Sequence, residues 1–161
     1  MKTLLLLRHG KAEPHNDEDK SRNLTDRGVR DARQMGEVIG KNFEIIDTVI
    51  SSDAERAAQT ARLAAESAGY KGAIDFQSRI YEASTDTLVD VVQDIDDKFE
   101  TALLVGHNPG FEELFADLAD ISSFESHLPT CGLVQIELPG KWRDIEKGAG
   151  KLIASWEPKG I

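Results

Sequence analysis

Basic residues are scarce in this chain. Lys and Arg number 19 against 29 Asp and Glu, a formal net charge of -10 at neutral pH. Such a balance offers no overall field to hold nucleic-acid phosphates or an anionic membrane, so neither is an expected partner. Any cluster of arginines is then a local exception in an acidic protein. Cysteine is nearly absent too: the lone Cys131 excludes an internal disulfide and fits a reducing compartment. No apolar run approaches the roughly 20 residues that span a bilayer. Met1–Leu7, with charged residues after it, is too short for a signal-peptide core, and a cytoplasmic location is expected. Three phosphate-handling signatures are also missing. There is no Gly-x-x-x-x-Gly-Lys-Ser/Thr loop, which excludes a P-loop nucleotidase. Six residues after Cys131 stands Glu137 rather than arginine, so a cysteine-phosphatase loop is absent. Asp94-x-Asp96 falls inside a predicted helix rather than after a strand, which argues against an aspartyl-phosphate mechanism.

What is present is enough for a real core. Of 161 residues, 40% are hydrophobic and 30% charged, the composition of one globular domain over residues 1–161. Leu4-Leu5-Leu6-Leu7 has no polar alternation and suits a strand over Lys2–Leu7 covered on both faces. A polar loop follows from Lys11 to Asn23. Thr25 can cap a helix through Gly40, with Val29, Ala32, Met35, Gly36 and Ile39 at helical spacing and Gly40-Lys41-Asn42 as its stop. Thr48-Val49-Ile50 predicts a strand, Asp53–Ala68 an alanine-striped helix, and Ala73–Phe76 a short strand. Ser84 or Thr85 caps a helix to Asp97, and Thr101–Val105 is a buried strand. Asn108 can cap the next helix with Pro109 in its first turn. Val134, Ile136 and Leu138 alternate with Gln135 and Glu137 as in a half-exposed strand, and Lys151–Trp156 is a last strand. A helical turn is expected around Trp142. This order predicts an α/β three-layer sandwich with a mostly parallel central sheet and an antiparallel edge.

Polar residues stand at three predicted strand ends: Arg8-His9-Gly10, then Ser51-Ser52 with Arg56 one helical turn on, then His107-Asn108. Right-handed crossovers put all three junctions on one rim of a parallel sheet, where open α/β sheets bind ligands. Two of the four histidines fall just past strand ends. Two arginines, two imidazoles and two helix N-termini, near Asp53 and Pro109, make a positive pocket suited to a phosphoryl group. An imidazole there can attack phosphorus while the cations hold the equatorial oxygens. His15, Asp17 and Asp19 are a weaker candidate metal set, since acidic loops are usually just solvated.

These motifs resemble the histidine phosphatase superfamily, whose signature is Arg-His-Gly after the first strand. Ser51-Ser52-Asp53-Ala54-Glu55-Arg56-Ala57-Ala58-Gln59-Thr60-Ala61 and Gly106-His107-Asn108-Pro109-Gly110 resemble its second and third motifs. Lys11-Ala12-Glu13, Arg22-x-Leu24-Thr25-x-x-Gly28 and Tyr81-Glu82-Ala83-Ser84 resemble the small phosphohistidine phosphatase branch called SixA. The resemblance implies a phosphoglycerate mutase-like fold, no cofactor and no metal. It implies His9 as nucleophile, with Arg8, Arg56 and His107 completing the phosphate pocket. Arg22 and Asn108 are candidate substrate contacts, and Glu82 stands where larger members carry a proton donor. The remaining histidines, His15 and His127, flank no strand end and are read as bystanders. Only 24 residues separate Glu82 from His107, one helix and one strand's worth, so an open pocket is expected. That favours a phosphorylated protein side chain over a small phosphate ester. Two alternatives are a small-molecule phosphomonoesterase and a non-catalytic phosphate-binding module. A plain structural domain would not account for three polar motifs on one rim.

Overall fold

The structure is a computed structural model that describes residues 1–14, 18–122 and 124–159. The strands are β1 (Lys2–Arg8), β2 (Thr48–Ser51), β3 (Ile74–Phe76), β4 (Thr101–Gly106), β5 (Leu133–Leu138) and β6 (Lys151–Trp156). The helices are α1 (Asp26–Asn42), α2 (Glu55–Ser67), α3 (Thr85–Gln93) and α4 (Gly110–Ala119). One sheet runs in the order β3-β2-β4-β1-β5-β6. The first four of these are mutually parallel, β5 is antiparallel to β1, and β6 is antiparallel to β5. The expected mostly parallel sheet with an antiparallel edge is therefore what forms.

The leucine run explains the layers. Successive side chains of a strand point to opposite faces, and Leu4 through Leu7 are all fully buried, each worth roughly 2–3 kcal/mol of transfer free energy. Leu4 and Leu6 pack with Leu88, Val92, Phe111 and Leu114, the inward faces of α3 and α4. Leu5 and Leu7 pack with Ala32, Met35, Ala57 and Ala61, from α1 and α2. The small residues let α1 and α2 approach closely: a Cβ on Gly36 would sit 2.4 Å from the Ala64 carbonyl oxygen. Trp142 is fully buried at the start of a 3₁₀ turn, Trp142–Asp144, with its indole N–H on the Phe99 carbonyl.

Strand register sets the rim. Arg8 lies opposite Gly106, and Ser51 opposite Val105, so β1, β2 and β4 end at the same height. The residues that follow each end must share one edge of the sheet.

Helix α1 ends at Asn42, the last residue of the expected stop, and Gly40 packs against Ala68. Two local expectations are corrected. Helix α3 ends at Gln93 rather than Asp97; Ile95 stays buried through a turn whose N–H returns to Val92. Asn108 does not cap α4. Pro109 holds the cap position after a cis peptide bond; the Asn108 side-chain oxygen accepts no helix N–H, and its amide nitrogen donates to the Leu128 carbonyl. The cap by Thr25 forms as expected, its hydroxyl accepting the Gly28 N–H at 3.1 Å. Among the described residues, no helix is long and apolar enough to cross a membrane.

Candidate active site

His9 follows β1 directly and is 9% exposed. Its main chain is held on both sides: its N–H donates to Gly106 and its carbonyl accepts from Cys131, each at 3.0 Å. Gly10, next in the chain, lies against Gly28 of α1, and a Cβ on Gly10 would come within 2.9 Å of the Gly28 carbonyl oxygen. The Gly10 N–H donates to the Thr60 hydroxyl at 3.0 Å, and that hydroxyl donates to the Arg56 carbonyl at 2.7 Å. Thus α2 fixes the turn that carries His9.

The tautomer of His9 follows from one contact. Its Nδ1 lies 2.8 Å from the Gly10 carbonyl oxygen. A carbonyl only accepts, so Nδ1 carries the proton and the lone pair of the neutral ring is on Nε2. Burial lowers the His9 pKa to about 4; the Gly10 hydrogen bond opposes the shift, while the charges of Arg56, Arg8 and Arg22 add to it.

His107 follows β4 and stands 5.3 Å from His9, ring centre to ring centre. Its Nε2 is 2.8 Å from the Ser52 hydroxyl. That hydroxyl already accepts the Ala54 N–H and has its own proton to place. Donating it to Nε2 leaves Nδ1 as the protonated nitrogen, and Nδ1 is buried with no partner. Burial lowers the His107 pKa to about 3, helped by the neighbouring His9 and Arg56. The ring packs edge-on against Tyr81 at 5.5 Å.

The arginines close around this pair. Arg56, from the first turn of α2, is 6% exposed, and its Nε is buried without a partner. Arg8 donates from Nη1 to the Leu128 carbonyl at 3.2 Å, and its Nε is likewise buried and unpaired. Three unpaired buried N–H donors therefore belong to the residues expected to bind phosphoryl oxygens. Such groups are costly to leave unmade, and a tetrahedral oxyanion is the ligand that would satisfy several together.

The other sequence candidates sit at the margin. Arg22 forms an ion pair through Nε with Asp19 at 3.0 Å and donates from Nη1 to the Glu13 carbonyl at 2.9 Å. Asn108 donates its amide to the Leu128 carbonyl at 2.9 Å, while its own carbonyl oxygen is buried and unpaired, an acceptor rather than a phosphoryl donor. Glu82 is exposed, with a left-handed backbone (φ 52°). It lines a cavity of about 280 Å³ together with Arg56, Tyr81, Leu88, His107 and Pro109. Of the candidate metal set, His15 and Asp17 lie outside the described residues. Among the described residues, no three His, Cys, Asp or Glu side chains gather as a metal site would require. His127 is exposed and pairs with Glu112, whose same oxygen accepts the Leu128 N–H.

Several participants are given no role by the sequence. Thr60 and Ser52 are small hydroxyls inside a matched motif, Ser52 at its strand end. The Leu128 peptide works through its main chain: its carbonyl holds Arg8 and Asn108, and its N–H donates to Glu112 at 2.6 Å. Cys131 is fully buried in a left-handed conformation (φ 58°), and burial pushes its thiol pKa well up, so it supports His9 by its N–H and not as a thiolate. Tyr81 and Asp19 meet Arg56 directly: Asp19 takes both outer nitrogens of Arg56 and the hydroxyl of Tyr81. That hydrogen bond raises the Tyr81 pKa to about 12, leaving the phenol neutral at physiological pH.

The two imidazoles make folding sensitive to acid. Unfolded, each titrates near 6.5; folded, near 4 for His9 and 3 for His107. Between those values the unfolded state binds more protons, so stability rises with pH across that window and is lost as pH falls through it. The melting temperature is expected to be flat above about pH 7 and to drop between about pH 6.5 and 4. His107→Gln should flatten part of that drop. A melting profile unchanged by the substitution would show that His107 is not held neutral.

Comparison with known proteins places this geometry. Residues 4–112 match the family described as the histidine phosphatase superfamily (branch 1). An uncharacterised protein of Mycobacterium tuberculosis is 30% identical over 162 residues, which span 95% of this chain and 100% of that protein. Among solved structures, a Nakamurella multipartitia protein provisionally assigned as the phosphohistidine phosphatase SixA is 23% identical. It superposes with a TM-score of 0.86, covering 99% of this chain and 97% of its own. A protein histidine phosphatase SixA complexed with tungstate is 19% identical at a TM-score of 0.84, with 97% of each chain covered. At these identities the two structures speak for a shared fold.

Proposed function

The chain belongs to the histidine phosphatase superfamily, and from that premise we propose that it hydrolyses phosphohistidine on a protein substrate through a phosphorylated His9. The observation that carries this reading is the set of unpaired buried donors, Arg8 Nε, Arg56 Nε and His107 Nδ1, on residues whose charge or ring acts on His9, an imidazole whose Nε2 lone pair is free of a proton. The Nε2 lone pair forms a bond to phosphorus as the bond to the leaving group breaks, its electron pair departing with that group. Charge on the equatorial oxygens is met by the arginines and the His107 N–H. The Nδ1–H of His9 stays on the Gly10 carbonyl, which holds the ring in place and offsets the positive charge that phosphorylation places on it. Water then attacks the phosphoenzyme, the P–N bond breaks, and phosphate leaves with His9 restored. No cofactor or metal enters this scheme.

Glu82 is the proposed proton donor for alkoxide leaving groups, which depart poorly without a proton. A left-handed non-glycine residue at the edge of a site is the kind of strain that function retains. An imidazole leaving group makes less demand, so Glu82 is proposed to matter less for phosphohistidine. Arg22 and Asn108 are proposed as rim contacts to the substrate's carrier rather than to its phosphoryl oxygens.

Two observations favour a protein substrate. The stretch from Glu82 to His107 is spent on α3 and β4, with no insertion to roof the pocket. The solved structures of similar fold include two SixA proteins, named for phosphohistidine or protein histidine phosphatase activity. The lone buried cysteine remains consistent with a reducing, cytoplasmic setting. A substrate panel tests the reading: a phosphohistidine protein, a phosphoserine peptide, p-nitrophenyl phosphate, phosphoglycerate and a hexose phosphate, each with and without chelator. The phosphohistidine protein is expected to give a kcat/KM at least about tenfold above any ester, unchanged by chelator. Efficient hydrolysis of one sugar phosphate alongside inert phosphohistidine protein would reassign the enzyme to small metabolites.

A further inference from the structure

Asp19 is a carboxylate placed where a phosphate-binding pocket would be expected to avoid one. It lies in a 3₁₀ turn, Asp19–Ser21, ahead of α1. One carboxylate oxygen pairs with Arg22 Nε at 3.0 Å. The other accepts from Arg56 Nη2 at 3.2 Å and from the Tyr81 hydroxyl. Its main-chain carbonyl accepts from Arg56 Nη1 at 2.9 Å. A single residue thus takes both outer nitrogens of the Arg56 guanidinium. The same guanidinium lies 5.8 Å over the Tyr81 ring, and Tyr81 in turn packs against His107.

Two roles are open to such a carboxylate. It can compete with the phosphoryl group for Arg56, or it can hold Arg56 so that its remaining donor faces the ligand. The distribution of bonds decides between them. Asp19 uses the outer nitrogens, while Nε, the donor on the side of the chain stem, is buried and unpaired. A competitor would be expected to take the donor that the ligand needs; Asp19 leaves that one free. A guanidinium on a flexible stem loses side-chain freedom when it binds. Fixing it beforehand removes that cost from substrate binding.

We propose that Asp19 is a positioning residue, which clamps Arg56, Arg22 and Tyr81 into one rigid wall and aims the Arg56 Nε–H at the phosphoryl group. This rests on the phosphatase reading above. It also predicts that the acidic turn is part of the site rather than a solvated loop.

The test is binding of orthovanadate to the full chain, with Asp19→Ala, Asp19→Asn, Arg56→Ala and the Asp19→Ala/Arg56→Ala double variant. Asp19→Ala is expected to weaken vanadate on the order of tenfold, and Asp19→Asn less, since it keeps an acceptor oxygen. On the Arg56→Ala background the Asp19 substitution should add less than about twofold, because the residue it acts through is gone. With p-nitrophenyl phosphate the loss should fall mainly on KM. Equal or tighter vanadate binding by Asp19→Ala would overturn positioning and make the carboxylate a competitor. A full extra loss on the Arg56→Ala background would also overturn it, since Asp19 would then act independently of Arg56. Should Asp19→Ala fail to fold, Asp19→Asn against the same backgrounds carries the comparison. If the unsubstituted protein binds no vanadate, the phosphatase reading falls and this proposal with it, a result distinct from the other two.

Discussion

His9→Ala is expected to reduce turnover by roughly a thousandfold or more, on any substrate the protein hydrolyses, and to leave no acid-labile phosphoenzyme. The size of the effect follows from the division of labour in the pocket. In the proposed mechanism Arg8, Arg56 and His107 stabilise charge, but none is placed to supply the attacking lone pair. His107 is committed through Nε2 to Ser52 and presents a donor at Nδ1, and the arginines carry no lone pair to offer. Removing His9 therefore removes the reaction path rather than a fraction of the transition-state stabilisation. The pocket should survive, because the bonds that hold this segment are made by the His9 and Gly10 main chains. Vanadate or phosphate binding by the variant, measured directly, is expected to weaken modestly while turnover vanishes. Quenched reactions with a radiolabelled phosphoryl donor provide the second readout. The unsubstituted protein should trap label that is lost in acid and kept in base, the behaviour of a phosphoramidate. Label trapped with the same acid lability on His9→Ala would move the nucleophile to another histidine and refute the assignment.

How much of this is visible before folding depends on whether a residue acts through its side chain at a strand end. Arg8, His9, Arg56 and His107 are legible because a polar group straight after an apolar strand has few structural explanations, and the parallel sheet supplies the shared rim. The register that aligns Arg8 with Gly106 and Ser51 with Val105 then brings them together. Main-chain participants leave no such trace: the Leu128 carbonyl, the Gly10 carbonyl and the Cys131 N–H could belong to any residue type. Asp19 is hidden differently. It sits in an acidic, aperiodic loop, where a carboxylate is most often solvent-facing, and only the tertiary fold carries it to Arg56, 37 positions along the chain. Asn108 shows the opposite failure. Asn followed by Pro is a strong helix-start signal, yet α4 takes its cap one residue later, at Pro109, and the Asn108 oxygen a cap would use accepts nothing while its amide nitrogen donates to the Leu128 carbonyl. The end of α3 was hidden for a related reason: Ile95 keeps the helical hydrophobic spacing and is buried, but the chain reaches it through a turn.

Arg56→Ala should cost on the order of a hundredfold in kcat/KM, with loss in both substrate affinity and turnover. The guanidinium is almost wholly buried, so its charge acts through a medium that screens it weakly. In the proposed reaction it faces a group whose negative charge persists from ground state to transition state, so both parameters should move. Lysine is not expected to rescue. Arg56 is gripped at both outer nitrogens by Asp19 and still has Nε to offer, a division of donors around a planar fork that a single ammonium cannot reproduce. A second, independent consequence concerns acidity. The Arg56 charge is among the causes that depress both histidines, after burial itself. Its removal lets each imidazole hold a proton to higher pH. Since attack requires His9 neutral, the acid limb of the kcat/KM profile should move upward in pH for Arg56→Ala, from a starting position near the His9 value of about 4. The shift separates two accounts of the same lost activity. A collapsed pocket would lower the whole profile or admit water and return His9 toward its ordinary value with no dependence on what replaces Arg56. Loss of a specific positive charge instead predicts that Arg56→Lys, though poor in turnover, keeps the acid limb close to its original place while Arg56→Ala does not. Coincident acid limbs for Arg56→Lys and Arg56→Ala, both displaced from the unsubstituted protein, would remove Arg56 from the electrostatics of His9.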